Sequence, residues 1–259
     1  MPGHRNWPLA DLLPLLLVSG TICAYLACNN PDSSRSPRTW IPRRVSWPDG
    51  ETSFYDVMRN DTVTGHATFR VGSRELGTGR ACEIACVNRA VVGDMEVLHD
   101  SISALLTADS LIPISSFQIR KSFSRTDTVI SRYDRGRVSL ATNGGKKLAL
   151  DAPPNTFDNS ILVMAIRALD MKPGARYALS SLASFAPWVK PADVEVLGLD
   201  TTTVPAGKYV CHKVALEIAG HRLYLWYDTS AAKRYVRFEN PAGNSSAVLT
   251  RQSASGRHE

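Results

Sequence analysis

The sequence predicts a mainly β fold, an antiparallel meander forming a strongly curled sheet or open barrel around one main α-helix. Three observations carry this. Alternating apolar and polar runs recur between turn-forming residues at intervals of about 8–12 residues, the spacing of a meandering sheet. The stretch Asp193 to Leu249 reads as consecutive hairpins. Ile161 to Leu169 is apolar around most of its girth. A helix with so little polar face must be covered on most sides. In a meander, the place for it is inside the curl or across its mouth.

The N-terminus reads as a targeting segment. His4 and Arg5 give a basic start, and Leu12 to Ala27 is mostly apolar but short for a membrane span. It ends in Tyr25-Leu26-Ala27-Cys28, a lipobox-like pattern with Tyr25 where an aliphatic residue is usual. Residues 1–28 are therefore expected to be a signal peptide, with Cys28 lipidated and forming the mature N-terminus. Ordinary signal-peptide cleavage and an uncleaved anchor are the alternatives. All three put the folded part outside the cytoplasm, and Asn29 suits an outer-membrane lipoprotein facing the periplasm. Residues 29–50, rich in Pro, Ser and Arg, read as a flexible tether.

The 259 residues, 44% hydrophobic and 21% charged, suffice for one large core or two small ones. Residues 51–251 are expected to form a single β-rich domain. Phe54 to Arg59 and Thr64 to Val71 alternate around Asn60-Asp61, a hairpin signal. Strands are expected at Arg80–Val92, Glu96–Leu106, Ile114–Phe123 and Thr128–Tyr133. A further hairpin, Arg137–Thr142 with Lys147–Leu150, turns at Asn143-Gly144-Gly145. Pro153-Pro154 ends this series. Asp158 is placed to cap the helix, with Phe157 and Leu162 as a hydrophobic staple, and Lys172-Pro173-Gly174 stops it. Tyr177–Ser184 resumes as a strand, followed by a Phe185-Ala186-Pro187-Trp188 loop with exposed-looking aromatics.

In the C-terminal stretch, Val204-Pro205-Ala206-Gly207 makes one turn and Gly220-His221 another. A turn at Gly220-His221 sets Ile218 opposite Leu223, Leu216 opposite Leu225 and Val214 opposite Tyr227. Moving the turn to Ala219-Gly220 keeps the same faces. Residues 252–259 read as a polar, disordered tail.

These motifs, in this order, resemble a family of exported bacterial proteins, domain-of-unknown-function family 3108. The resemblance rests on the Tyr55…Gly65 hairpin, Asp100-Ser101, and Leu111-Ile112-Pro113-Ile114. It continues with Asp158-Asn159-Ser160…Ile166-Arg167, Lys172-Pro173-Gly174, Val204-Pro205-Ala206-Gly207-Lys208-Tyr209 and Leu225-Trp226-Tyr227-Asp228. It spans roughly residues 50 to 250 and implies an envelope protein with no assigned catalytic residue. The curled sheet with an inner helix is also similar in architecture to the lipoprotein carriers LolA and LolB, and architecture does not carry function by itself.

The residues offer no catalytic constellation and no cofactor site. There is no Gly-x-Ser-x-Gly and no His-Glu-x-x-His. His99 and Asp100 are strand neighbours that point to opposite faces. His212 reads as a core-edge histidine, and Asp94 with Glu96 as a solvated turn. Cys82 and Cys86, about 13 Å apart along one strand, cannot bridge each other. With Cys211 they read as three buried thiols, or as one bridge from Cys211 to either of them. No Cys/His cluster supports a metal. The net charge of +6 is scattered and rarely interleaved with aromatics, which excludes nucleic acid as a partner and leaves weak attraction to an anionic membrane.

The function expected from this is non-enzymatic: a lipid-anchored envelope protein that binds an apolar small molecule or lipid in a β-cup, or supports envelope assembly. The cup wall would be Val214, Leu216, Leu223, Leu225 and Tyr227, with Leu162 and Ile166 opposite. The same residues would equally make a filled core. A module holding an envelope protein partner by its sheet edge or the Trp188 loop is the alternative, and an unrecognised hydrolase a third reading.

Overall fold

The structure, a computed structural model, describes residues 38–39, 47–77, 79–93 and 95–253. Cys28 and the rest of the signal segment, most of the tether, Asp94 and residues 254–259 lie outside the described residues.

Two hairpin-rich halves make one sheet. The first comprises β2 (Thr52–Arg59), β3 (Thr62–Leu76), β4 (Gly79–Val92), β5 (Met95–Thr107), β6 (Pro113–Ser122), β7 (Arg125–Asp134), β8 (Arg137–Thr142) and β9 (Lys147–Asp151). The second comprises β11 (Arg176–Ala183), β12 (Trp188–Val204), β13 (Gly207–Ile218), β14 (His221–Asp228), β15 (Tyr235–Asn240) and β16 (Ser245–Ser253). Within each half neighbours in sequence are neighbours in space, and β16 pairs antiparallel with β2 to join the halves. Two short strands, β1 (Arg38–Thr39) and β10 (Thr156–Asp158), lie in tandem along the outer side of β11, both parallel to it. The sheet curls without closing: β9 and β11 are not hydrogen-bonded to each other, although β9 comes against β12 and β10 against β6.

The turns explain the sharp hairpins. Asn60 and Asp61 both have positive φ, 48° and 60°, which suits the right-handed twist of the strands they join. Gly65 on β3 is required by close approach, since a Cβ there would lie 2.2 Å from the Arg89 carbonyl oxygen on β4. The β13–β14 turn corrects one expectation. It falls at Ala219-Gly220, with φ of 51° and 79°, so Leu216 faces Leu223, Val214 faces Leu225 and His212 faces Tyr227. Two positive φ values give the turn the twist of the strands, and this decided the register against Gly220-His221. The faces are unchanged. Lys213 now lies opposite Trp226, its Nζ 4.8 Å from the ring centre.

The concave side holds α1 (Asn159–Ala165) and a 3-10 turn at Ile166–Ala168. Ile161, Leu162, Met164, Ala165 and Ile166 are each at most 1% exposed within the main apolar cluster. Phe157 is buried beside them, but Asp158 makes no side-chain capping bond. Its carboxylate is used elsewhere. Trp47 packs on the core, within the stretch expected as tether, and β16 continues through Ser253.

Candidate functional site

The gap where the sheet fails to close is the most distinctive place in the molecule. It begins with β6, whose sequence alternates Ser116, Phe117, Gln118, Ile119, Arg120. A strand over an apolar core would turn Phe117 and Ile119 inward. Here Ser116 and Gln118 are buried, and Phe117 is 44% exposed. On β7, Ser131 is likewise buried and Ile130 is 42% exposed. Two adjacent strands therefore present a polar stripe to the interior.

Polar partners on both sides of the gap meet Gln118 and Ser131 of that stripe, while Ser116 Oγ is buried without a hydrogen-bond partner among the described residues. Asp158 of β10, fully buried, accepts from the Tyr133 hydroxyl of β7 at 2.7 Å and from the Ser184 hydroxyl at 2.5 Å. Ser184 lies 3.4 Å from Ser131. Burial pushes the Asp158 carboxyl above its ordinary value, against the lowering effect of the hydroxyls of Ser184, Ser116 and Tyr133. Burial, then the Asp158 charge, pushes Tyr133 well up. Nearby, Asp100 of β5 accepts from Gln118 Nε2 at 3.0 Å and from Arg120 Nη2 at 2.8 Å. Arg120 also stacks on Phe185, 4.3 Å from the ring centre. The β10–β11 side is thus latched to β6–β7 by buried hydrogen bonds rather than by a strand ladder.

Above the latch lies a cleft of about 690 Å³. Val129, Leu140, Leu148 and Phe185 supply apolar wall, and Arg120, Arg125 and Lys146 supply positive charge, with Asp127 the acidic residue among the lining. A smaller apolar cluster of Val129, Val138, Leu140, Ala152 and Leu182 packs beneath it. This volume lies within the range of small-molecule sites, and two of its three cations are ion-paired, Arg120 with Asp100 and Arg125 with Asp127.

The residues expected to line a β-cup sit elsewhere. Leu162, Ile166, Val214, Leu216, Leu223, Leu225 and Tyr227 are all at most 5% exposed and share the cluster around α1. Tyr227 donates its hydroxyl to the Val163 carbonyl at 2.7 Å, tying the sheet to the helix. None of the seven borders the cleft at the gap, nor the clefts of about 580 and 340 Å³ near Trp47 and Asp49. The Phe185–Trp188 aromatics are half-buried rather than exposed, Phe185 against the smaller cluster and Trp188 against the main one.

Other candidates resolve individually. His99 Nδ1 lies 3.2 Å from Glu96, on the face opposite Asp100. His212 is half-buried, and burial, then the charge of Lys233, lowers its pKa. Cys82, Cys86 and Cys211 are free. Burial pushes the Cys82 thiol up to about 11 and Cys211 to about 12. Among the described residues, no three of His, Cys, Asp or Glu are grouped to hold a metal.

The run from β2 to β16 that builds this gap coincides with a family match. The model of DUF3108, described as a protein of unknown function, matches residues 55–250. The chain belongs to the DUF3108 family. Among solved structures, this DUF3108 chain is similar to a β-barrel-like protein of the DUF1849 family from Brucella abortus. The TM-score is 0.54 at 12% identity, covering 83% of this chain and 100% of that one. That likeness concerns the fold alone. A Bacteroides fragilis protein assigned as exported, with a YmcC-like fold, gives 0.37 at 13% identity, covering 82% and 100%. A Parabacteroides distasonis protein assigned as a lipoprotein gives 0.38 at 12%, covering 82% and 99%. At those scores the overlap is too loose to define a common fold. No curated protein matches the sequence.

Proposed function

We propose that the protein is a non-enzymatic, lipid-anchored component of the bacterial envelope that holds an anionic amphiphile in the open seam of its sheet. The single observation behind this is the cleft at the gap, where an apolar wall meets Arg120, Arg125 and Lys146. An acyl chain lies along Val129, Leu140 and Leu148, and its head meets the cations. This puts the ligand at the seam rather than in the expected cup, since Leu162, Ile166 and the sheet residues opposite share one buried apolar cluster and border none of the clefts described above. Each methylene buried contributes roughly 0.8 kcal/mol, so a chain of moderate length binds at useful strength after association costs. The envelope address rests on the apolar N-terminal run and Cys28. Purified from membranes, the wild type should carry a diacylglycerol mass at Cys28. A second, non-covalent amphiphile should appear in native mass spectra and in a solvent extract. A protein free of any extractable amphiphile would overturn the seam reading, and an unmodified Cys28 the anchor.

A second reading is a protein partner at the sheet edge. It is favoured by β9, which hydrogen-bonds β8 on one side and, among the described residues, carries no strand on the other. The Ala152 N–H to Gly136 carbonyl bond fixes the phase, so Lys147, Ala149 and Asp151 direct their backbone groups outward. An extended segment adding there would be captured by crosslinking at Ala149.

A further inference from the structure

The antiparallel order places several turns on one rim. Gly65 pairs with Ala90 and Leu98 with Ser122, so the β2–β3, β4–β5 and β6–β7 turns all end on the same side. The β8–β9 turn joins them, since Asn143 Nδ2 donates to the Thr126 carbonyl at 2.8 Å. Four exposed hydrophobic residues cap these turns: Val63 at 44%, Val92 at 50%, Met95 at 64% and Phe123 at 78% exposure. Phe123 is the most exposed large hydrophobic residue of the described chain. It stands in the turn between β6 and β7 with Lys121 and Arg125 on either side, and Lys146 is on the adjacent turn.

We infer that this rim docks on an anionic lipid surface, with Phe123 entering the interface and Lys121 and Lys146 meeting headgroups. The form of the apolar surface selects this partner. Strands lie about 4.8 Å apart, so three successive turns spread over roughly 20 Å. Val92 and Met95 pair across β4 and β5, while Phe123 stands on the next turn with Lys121 beside it and Lys146 on the turn beyond. Separate apolar groups with cations at one end suit a fluid interface, which shapes itself around each group. A fixed protein surface rewards a contiguous patch instead. Among the described acids on this rim, Asp127 pairs with Arg125 and offsets it, Glu96 pairs with Arg89 and His99, and Asp61 is two turns away, so Lys121 and Lys146 carry the positive charge at Phe123. The cleft at the seam opens beside the same turn, through Arg125 and Thr126. Docking does not require the cleft to be filled, so it stands or falls separately from amphiphile binding.

The test is photo-crosslinking of the full-length chain in vesicles of phosphatidylcholine with phosphatidylglycerol. p-Benzoylphenylalanine replaces Phe123 in one variant. In the other it replaces Leu199, which is 63% exposed on the outer wall of β12, away from the rim. Both sites are exposed, and unchanged melting confirms that both variants fold. A lipid adduct several-fold stronger at 123 than at 199, falling several-fold in phosphatidylcholine alone, is expected. Because an anchor at Cys28 would hold both variants at the membrane, only orientation separates the two sites. Equal adducts at the two positions, or none at 123, overturn the docking. Equal yields without phosphatidylglycerol overturn its anionic character, and protein–protein adducts at 123 assign the rim to a second copy.

Discussion

Arg167 and Glu51 face each other through two parallel hydrogen bonds, Nη1 to Oε1 at 2.9 Å and Nη2 to Oε2 at 3.0 Å, with both side chains at most 3% exposed. The guanidinium also donates to the carbonyls of Ala232 and Lys233 and stacks 4.9 Å from the Trp47 ring centre. One cation thereby joins the entry of β2, the turn after α1 and the β14–β15 loop. Such a pair adds little over a hydrophobic replacement, but losing one partner strands a buried charge. Glu51→Gln should therefore cost about 3–5 kcal/mol. That lowers the melting temperature by roughly 6–20 °C in a domain of this size. Glu51→Gln with Arg167→Met should recover a large part of it. A double variant melting no higher than the single one would mean that shape, not charge, sets the cost.

Asp158 gives a pH signature. Burial raises its carboxyl above the ordinary 3.8, and the hydroxyl donors offset this only in part. The folded protein keeps that proton to higher pH than the unfolded chain, whose value is about 3.9. Its contribution is most favourable below the unfolded pKa, declines as pH rises toward the folded pKa, and is level above it. Asp158→Asn removes this titration. Melting curves from about pH 3 to pH 8 should show the wild type losing stability relative to the variant as pH rises. A gain instead would mean that Tyr133 and Ser184 stabilise the carboxylate by more than burial penalises it.

The strands, their turns and the inner helix were legible because each rests on local chemistry. Asn60-Asp61, Asn143-Gly144-Gly145 and Val204–Gly207 punctuate the alternation wherever the chain reverses. The seam was not legible. Asp158 reads as a helix cap, and nothing local says that its carboxylate turns to Tyr133, 25 residues away. On β6 the alternation pointed the wrong way, since Phe117 and Ile119 look like the inward set. The usable signal was one of mismatch: Ser116, Gln118 and Arg120 share a face, and Ser131 lies opposite Ser116. Arg167 escaped notice for a related reason. A single cation in an apolar helix reads as its solvent edge until Glu51 is found beside it.

Ile166 tests the helix directly. It is fully buried, and the adjacent cation, Arg167, is already engaged by Glu51 and by backbone carbonyls. Ile166→Asp buries a charge without a partner, at a cost of several kcal/mol. The domain should unfold or melt well below wild type by circular dichroism. Melting within about 2 °C of wild type would place the helix at the surface.

Leu148 and Leu225 separate a ligand site from a packed core. Leu225 is fully buried in the cluster around α1, whereas Leu148 is half-buried on β9 and borders the seam cleft. Leu225→Trp adds an indole to that buried cluster, so in a filled core it should overpack and cost about 1–3 kcal/mol. Leu148→Trp has the cleft of about 690 Å³ to enter, so it should melt close to wild type while occupying the place of an acyl chain. Native mass spectra then discriminate. Leu148→Trp should lose the bound amphiphile with stability kept, and Lys146→Glu should weaken retention of anionic ligands more than neutral ones, because it reverses one of the three cations at the cleft. If Leu225→Trp keeps its stability but loses the ligand, the amphiphile belongs inside the cup beside α1, and the seam is only the place where the sheet ends.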